Sequence, residues 1–278
     1  MSIAEILRNA SARINPVDAR VLLGHVMDRD SAYLIAHRDD PLNDTEARAF
    51  EALVERRATG EPVAYITGQR EFYGRPFSVT PAVLIPRPET EVLVDSALER
   101  IPGTGRVRVL DVGTGSGCVA IAIATERPQC RLLAIDRSLE ALAIARRNAV
   151  ALRVGNVAFL KSDWFEALGT ERFDMIVSNP PYIALGDPHL SQGDLRFEPQ
   201  QALCGGADGL DAVRTLVLGG VRHLTSGGWL VLEHGYDQGP AVRALFDQNG
   251  YVDVVSATDI SGIERVTAGR LTFTLRTL

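Results

Sequence analysis

The spacing of apolar residues changes character along the chain. Up to Gly60 it is helical. Ser2 and Glu5 form a capping pair ahead of an apolar face of Ile3, Ile6 and Leu7. Asn15-Pro16 places a cap residue before a proline at the first helical position, and Val21, Leu22 and Val26 follow. Asn43 and Glu46 repeat the capping signal before a charged helix that ends at Gly60. From Pro62 to Glu91 the period shortens. Residues 70–80 predict a hairpin with Gly74 near its turn, and Leu84 to Glu91 leads into a helix through Arg100. Gly103 to Gly105 mark a linker.

From Arg106 on, short apolar runs alternate with helical patterns. Strands are expected at Val107–Val112, Arg131–Asp136, Val157–Lys161, Met175–Ser178, Trp229–Glu233, Val252–Ala257 and Leu271–Leu275. Helices are expected at Cys118–Thr125, Leu139–Leu152, Leu210–Leu224 and Pro240–Gln248. The fold class is therefore α/β, a doubly wound and mainly parallel seven-stranded sheet whose closing strand pair can be antiparallel. A small helical bundle at residues 1–68 and a linking hairpin at 69–84 precede a main domain at 85–278. In such sheets ligands bind beyond the carboxyl ends of the strands, at the switch point.

Two strand ends carry candidate chemistry. After the first strand of the alternating set comes Asp111-Val112-Gly113-Thr114-Gly115-Ser116-Gly117. Its glycines allow a tight turn and close approach of a ligand to bare backbone, and the next helix offers unpaired N–H groups at its start. Asp136 ends the second strand about 20 residues further on, where a carboxylate accepts from the ribose hydroxyls of an adenosine. A dinucleotide fingerprint needs glycine at the position of Cys118, so that reading fails. After the fourth strand comes Asn179-Pro180-Pro181-Tyr182. Two prolines make the turn stiff, so carbonyl oxygens, one side-chain amide and one ring stand in set positions. That suits a planar NH2 group, whose hydrogens need two acceptors. In a doubly wound sheet the fourth strand lies beside the first, which brings this turn next to the glycine loop.

Composition narrows the partners. The 278 residues are 46% apolar, enough for a sizeable core, and 29 basic against 35 acidic residues give a net charge of −6. That balance disfavours a general nucleic-acid binder. Cys118, Cys130 and Cys204 are dispersed and odd in number, which predicts a reducing, cytoplasmic setting and no metal pair. None of the five histidines sits in a ligand pattern, and His234 reads as structural. No apolar run approaches the roughly 20 residues that span a bilayer. The start of the chain does not read as a signal peptide.

The D-x-G-x-G-x-G loop resembles the S-adenosylmethionine loop of class I methyltransferases. The resemblance implies that Asp111 reaches the methionine ammonium, that Gly113 to Gly117 and Asp136 hold the donor, and that Asp163 and Trp164 border the adenine. Trp164 would stack on the base and Asp163 would take its amino group. The proline turn is shared by enzymes that methylate adenine, cytosine or glutamine and does not choose among them. Further stretches are more specific: Pro62 to Gly68, Glu71-Phe72-Tyr73-Gly74, Ile85 to Glu91, Arg196-Phe197-Glu198-Pro199 and Glu233-His234-Gly235. With the loop and the turn they resemble the bacterial release-factor glutamine methyltransferases, the HemK family, in order and over nearly the whole chain. The resemblance is weakest in the N-terminal helices.

The family resemblance implies a five-helix N-terminal domain and N5-methylation of the glutamine in the Gly-Gly-Gln loop of peptide-chain release factors. S-adenosylmethionine is the implied donor and S-adenosylhomocysteine the product, with no metal and no membrane or direct nucleic-acid partner. It implies that Asn179 serves both donor and acceptor, that Pro180 joins it in catalysis, and that Pro180, Pro181 and Tyr182 line the glutamine pocket. Arg87, Glu89 and Thr90 are expected to border the site. The alternatives are a ribosomal-protein glutamine methyltransferase, a DNA adenine-N6 methyltransferase, or a binding module on the translation machinery without activity.

Overall fold

The computed structural model describes residues 1–272, which form two compact units. The first comprises Met1–Gln69 and Ser191–Phe197. It holds α1 (Ile3–Ser11), α2 (Pro16–Met27), α3 (Ser31–Ala36), α4 (Asp44–Ala58) and α5 (Val63–Thr67). The caps form as the residue types predict. Ser2 Oγ accepts from Glu5 N at 3.3 Å, Glu5 Oε2 accepts from Ser2 N at 2.9 Å, and Asn43 Oδ1 accepts from Thr45 N and Glu46 N. Ile3, Ile6, Leu22, Leu23, Leu34, Phe50 and Val54 make the core, whereas Val21 faces outward. Ser191–Phe197, which strand–helix alternation assigns to the main domain, packs here. Arg57 donates to Asp18 Oδ2 at 2.7 Å and to Asp194 Oδ1 at 3.0 Å, and Arg196 donates to Thr59 O at 2.7 Å. Gly60, at φ +97°, leaves the space that the Arg196 guanidinium takes.

The second unit comprises Arg70–Leu190 and Glu198–Leu278. Its hairpin pairs β1 (Gln69–Phe72) with β2 (Arg75–Ser78). Tyr73 and Gly74 between them both have positive φ, 52° and 69°, as a two-residue turn matched to strand twist requires. Then come α6 (Glu91–Arg100), β3 (Arg108–Val112), α7 (Cys118–Glu126), β4 (Arg131–Asp136), α8 (Leu139–Ala151), β5 (Val157–Lys161) and β6 (Phe173–Ser178). After several single-turn helices follow α9 (Asp211–His223), β7 (Leu224–Glu233), α10 (Gly239–Gln248), β8 (Tyr251–Thr258) and β9 (Glu264–Leu271).

The seven-stranded sheet has the order β5-β4-β3-β6-β7-β9-β8. β3 to β7 are parallel, and β9 runs antiparallel to both neighbours. Helices cover both faces, with α6 and α7 in one buried apolar cluster and α9 and α10 in another. The chain reverses its direction of travel across the sheet after β5, so β3 and β6 lie side by side, with Asp111 paired to Val177.

One strand departs from expectation. The last strand among the described residues is Glu264–Leu271, which the apolar pattern does not predict, and the strand expected at Leu271–Leu275 falls mostly on residues outside those described. Arg265, Thr267, Gly269 and Arg270 lack the apolar signature of a strand, yet Val266 to Gly269 are buried. Gly269 is there because Phe246 of α10 takes the space of a side chain. Asp259 caps the preceding turn by accepting from Ser261 N and Ile263 N. Among the described residues no helix is long and apolar enough to cross a membrane.

Candidate active site

A cavity of about 390 Å³ opens beyond the carboxyl ends of β3, β4, β5 and β6. Asp111, Gly113 to Ser116, Asp136, Asp163, Trp164, Asn179, Pro180 and Pro181 all line it. Gly117 and Tyr182 are not among its lining residues.

The glycine loop owes its shape to left-handed backbone. Gly113, Gly115 and Gly117 have φ of 73°, 55° and 81°. A side chain at Gly113 or Gly115 would meet nothing within 4 Å, so their backbone faces open space. Gly117 differs: a Cβ there would stand 3.0 Å from Ala145 Cβ and Ile121 Cδ1, so this glycine lets α7 pack against α8. Gly113 N and Thr114 N both donate to Ile135 O at 2.9 Å, which pins the loop to the end of β4. Buried Asn148 braces it from behind by donating to Ser116 O at 2.8 Å and to Ser78 O at 3.0 Å.

Two carboxylates flank the loop. Asp136 Oδ2 accepts from Gly115 N at 2.9 Å and Oδ1 from Ser138 N at 2.8 Å. Its oxygens are thereby aimed at the cavity mouth while keeping lone pairs for hydroxyl donors. Asp111 is 2% exposed and accepts from Thr114 Oγ1 at 2.6 Å. Burial pushes its carboxyl up to about 7, against which the Thr114 hydroxyl and the Ala120 N–H favour the charged form. A buried carboxylate of this kind is suited to an ammonium.

Beyond β5, Trp164 sits at φ +46°, a conformation held by Ser162, whose hydroxyl donates to Trp164 O at 2.7 Å and accepts from Ala167 N at 3.1 Å. Its half-buried ring packs on the apolar core below the cavity, and exposed Asp163 stands at the rim.

The proline turn is held from three sides. Ser178 Oγ donates to Val112 O at 2.7 Å and joins the ends of β6 and β3. Asn179 Nδ2 donates to Thr90 Oγ1 at 3.0 Å, and Thr90 is itself buried. Tyr182 OH donates to Glu233 Oε1 at 3.3 Å, and its carbonyl accepts from Gln238 Nε2 at 3.0 Å. Below the turn, a Cβ on Gly205 would stand 2.6 Å from Pro181 O, so only glycine lets that loop approach. Arg87 lines the cavity and pairs with Glu198, whose other oxygen accepts from Ile85 N at 3.0 Å. His234 bonds Gly235 O and Thr267 Oγ1 through its two ring nitrogens, both at 2.9 Å, a satisfied structural role.

The sequence reading did not assign roles to Glu233, Gln238 or Gly205. Their signals were present only as a strand-end acid, a loop amide and one glycine among 25. Among the described residues no group of three or more His, Cys, Asp or Glu is placed to hold a metal ion.

Comparisons with known proteins agree with this architecture. Residues 2–68 match the model of the PrmC N-terminal domain, and residues 89–191 match that of the methyltransferase small domain. A release factor glutamine methyltransferase of Xylella fastidiosa strain Temecula1 is 54% identical over 95% of this chain and 96% of its own length. One of Escherichia coli strain K12 is 48% identical over 91% of each. Among solved structures, a methyltransferase from Pyrococcus furiosus shares the fold, with a TM-score of 0.56 at 18% identity over 80% of this chain and 98% of its own. The chain belongs to the release factor glutamine methyltransferase family.

Proposed function

We propose that this methyltransferase transfers a methyl group from S-adenosylmethionine to N5 of the glutamine in the Gly-Gly-Gln loop of peptide-chain release factors, in the cytoplasm. The observation that carries the reading is the adjacency of β3 and β6. Gly113 to Ser116 of the glycine loop and Asn179 to Pro181 of the proline turn line one cavity, which supports reading the first as the donor loop and the second as the amide grip. The family name supports the choice of a glutamine over a nucleobase, which the turn alone leaves open. We read residues 1–68 as a helical bundle that meets the partner, 69–84 as the linking hairpin and 85–278 as the catalytic domain.

The cavity's residues fit the donor. Open space at Gly113 and Gly115 admits a ligand against bare backbone, Asp136 offers acceptors for ribose hydroxyls, and buried Asp111 matches an ammonium. Trp164 and Asp163 line the same cavity and would offer an adenine a ring and an acceptor. When bound, the donor supplies a methyl group on an electrophilic sulfonium.

An amide nitrogen is a poor nucleophile because its lone pair is delocalised into the carbonyl. Asn179 Oδ1 and Pro180 O are suited to accept the two N–H protons of the substrate amide. Those bonds raise electron density on nitrogen and aim it along one line. Positioning of this kind removes up to roughly 7–11 kcal/mol from a barrier. Pro181 and Tyr182 wall the side-chain pocket. The nitrogen would gain the methyl group as the methyl's bond to the sulfonium sulfur breaks, leaving the thioether S-adenosylhomocysteine, and the amide proton would pass to solvent water.

The test is incorporation of label from radiolabelled donor into a release factor, a Gln→Ala release factor, ribosomal proteins and duplex DNA in separate reactions. Label on the first alone is expected. Label on DNA or ribosomal protein alone would overturn the assignment.

A further inference from the structure

The donor proposed for this cavity carries both an ammonium and a carboxylate at its methionine end. Buried Asp111 matches the ammonium. The glycine loop has little left for the carboxylate. Gly113 N and Thr114 N donate to Ile135 O, Gly115 N to Asp136 Oδ2 and Gly117 N to Thr114 O, so four of the five N–H groups from Gly113 to Gly117 are spent within the protein. The cavity lining is itself acidic, with Asp111, Asp136, Asp163 and Asp211 against Arg87 and Arg137. A carboxylate entering such a site needs a cation of its own.

The two arginines stand on different sides. Arg137 is exposed and follows Asp136 at the end of β4, the side proposed for the ribose. Arg87 precedes a single turn, Pro88–Thr90, whose last hydroxyl accepts from Asn179 Nδ2 at 3.0 Å, which puts Arg87 toward the end of β6. The strand order is β4-β3-β6 at this part of the sheet. A donor with its ribose at Asp136 and its ammonium at Asp111 therefore runs from β4 past β3, and its carboxylate comes to the side of Arg87.

Arg87 is also held in place for such a task. Its Nη2 donates to Glu198 Oε1, and the Glu198 side chain is 0% exposed. Glu198 Oε2 accepts from Ile85 N at 3.0 Å, so one buried carboxylate fixes the guanidinium and the backbone two residues before it. The Arg87 side chain keeps 29% exposure and lines the cavity. Among the described residues Glu198 is its one hydrogen-bond partner. A guanidinium has five N–H donors in a planar fork, so donors remain for a second carboxylate.

We propose that Arg87, braced by buried Glu198, binds the α-carboxylate of the donor's methionine, so that Asp111 and Arg87 hold the two charges of the zwitterion. This inference rests on the reading of the cavity as a S-adenosylmethionine site and is independent of the acceptor.

Calorimetry without any release factor tests it, with S-adenosylmethionine and decarboxylated S-adenosylmethionine as the two ligands. The second keeps the ammonium, the sulfonium and the adenosine. In an acidic cavity with no cation for the carboxylate, this more positive analogue would bind at least as well as the donor. The parent is expected to bind it about tenfold or more weakly than the donor. Arg87→Met should lose about tenfold in affinity for S-adenosylmethionine and less than about threefold for the analogue, so that the discrimination largely disappears. Arg87→Lys keeps a cation beside Glu198, which guards against a variant that fails to fold, and should discriminate less than the parent. A parent that binds both ligands equally overturns the role of Arg87 and leaves the donor reading standing, as does parental discrimination in every variant that folds. A parent that binds neither ligand overturns the donor reading and this inference together.

Discussion

Ser178 Oγ donates to the Val112 carbonyl oxygen at 2.7 Å, so the two strands that carry the candidate site are joined at their last residues. Both residues are buried. Ser178→Ala leaves the Val112 carbonyl without this donor, and a buried unsatisfied group costs about 1–3 kcal/mol. The expected outcome is a loss of that order in urea unfolding, together with weaker donor binding because the loop and the turn are no longer fastened together. Parental stability in Ser178→Ala would show that the bond contributes nothing.

The glycines of the proposed donor loop should separate into two kinds. Gly113 and Gly117 both have positive φ, so alanine at either introduces backbone strain of about 1–2 kcal/mol. Only Gly117→Ala also drives a Cβ against Ala145 and Ile121, and overpacking adds about 1–3 kcal/mol. Gly117→Ala is therefore expected to unfold at the lower denaturant concentration. Gly113→Ala, whose Cβ points into open space at the cavity, should show the larger loss of donor affinity relative to its loss of stability. Equal unfolding midpoints for the two variants would refute the distinction.

Asp111 gives a pH signature with a definite sign. Burial holds its carboxyl at about 7 in the folded chain, while an unfolded aspartate ionises near about 3.9. Between those values the folded form binds more protons, so this group makes the donor-free protein less stable as pH rises through the window. Asp111→Asn removes that slope, and the difference between parent and variant in urea unfolding from pH 4 to about 7 isolates it from Glu233, which has the same sign. A bound ammonium favours the charged carboxylate, so parental donor affinity should rise with pH up to about 7 and that of Asp111→Asn should not.

Asn179→Ala should reduce turnover by more than about tenfold and change donor Kd by less than about threefold, because the proposed mechanism uses its amide oxygen mainly in transfer. Single-turnover kinetics with saturating donor measure the first quantity and calorimetry the second. Near-normal turnover would remove Asn179 from the mechanism.

The sequence by itself determined the local pieces. Arg131–Asp136 and Val157–Lys161 were readable as strands to the residue, because apolar runs bounded by polar and turn residues report local burial. The capping signals at Ser2 and Asn43, the Tyr73-Gly74 turn and the glycines ahead of α7 were legible for the same reason. Each acts over a few residues of chain. Fold class followed from alternation, and with it the expectation that the first and fourth strands of the main sheet are neighbours.

Tertiary structure decided what distant segments do to one another. Asn179 meets Thr90 across 89 residues and Tyr182 meets Glu233 across 51, contacts that no periodicity encodes. The strand at Glu264–Leu271 went unread because Thr267 and Gly269 are buried by tertiary packing, Gly269 against Phe246 of α10, and not by their own hydrophobicity. Ser191–Phe197 joins the helical unit through Asp194 and Arg196, charged residues whose partners Arg57 and Thr59 lie far back in the chain. The chemistry proposed for the turn was read from four adjacent residues. The direction its Asn179 amide faces depends on buried Thr90, whose hydroxyl oxygen accepts from Asn179 Nδ2, because an amide has two nearly equivalent faces until its neighbours distinguish donor from acceptor.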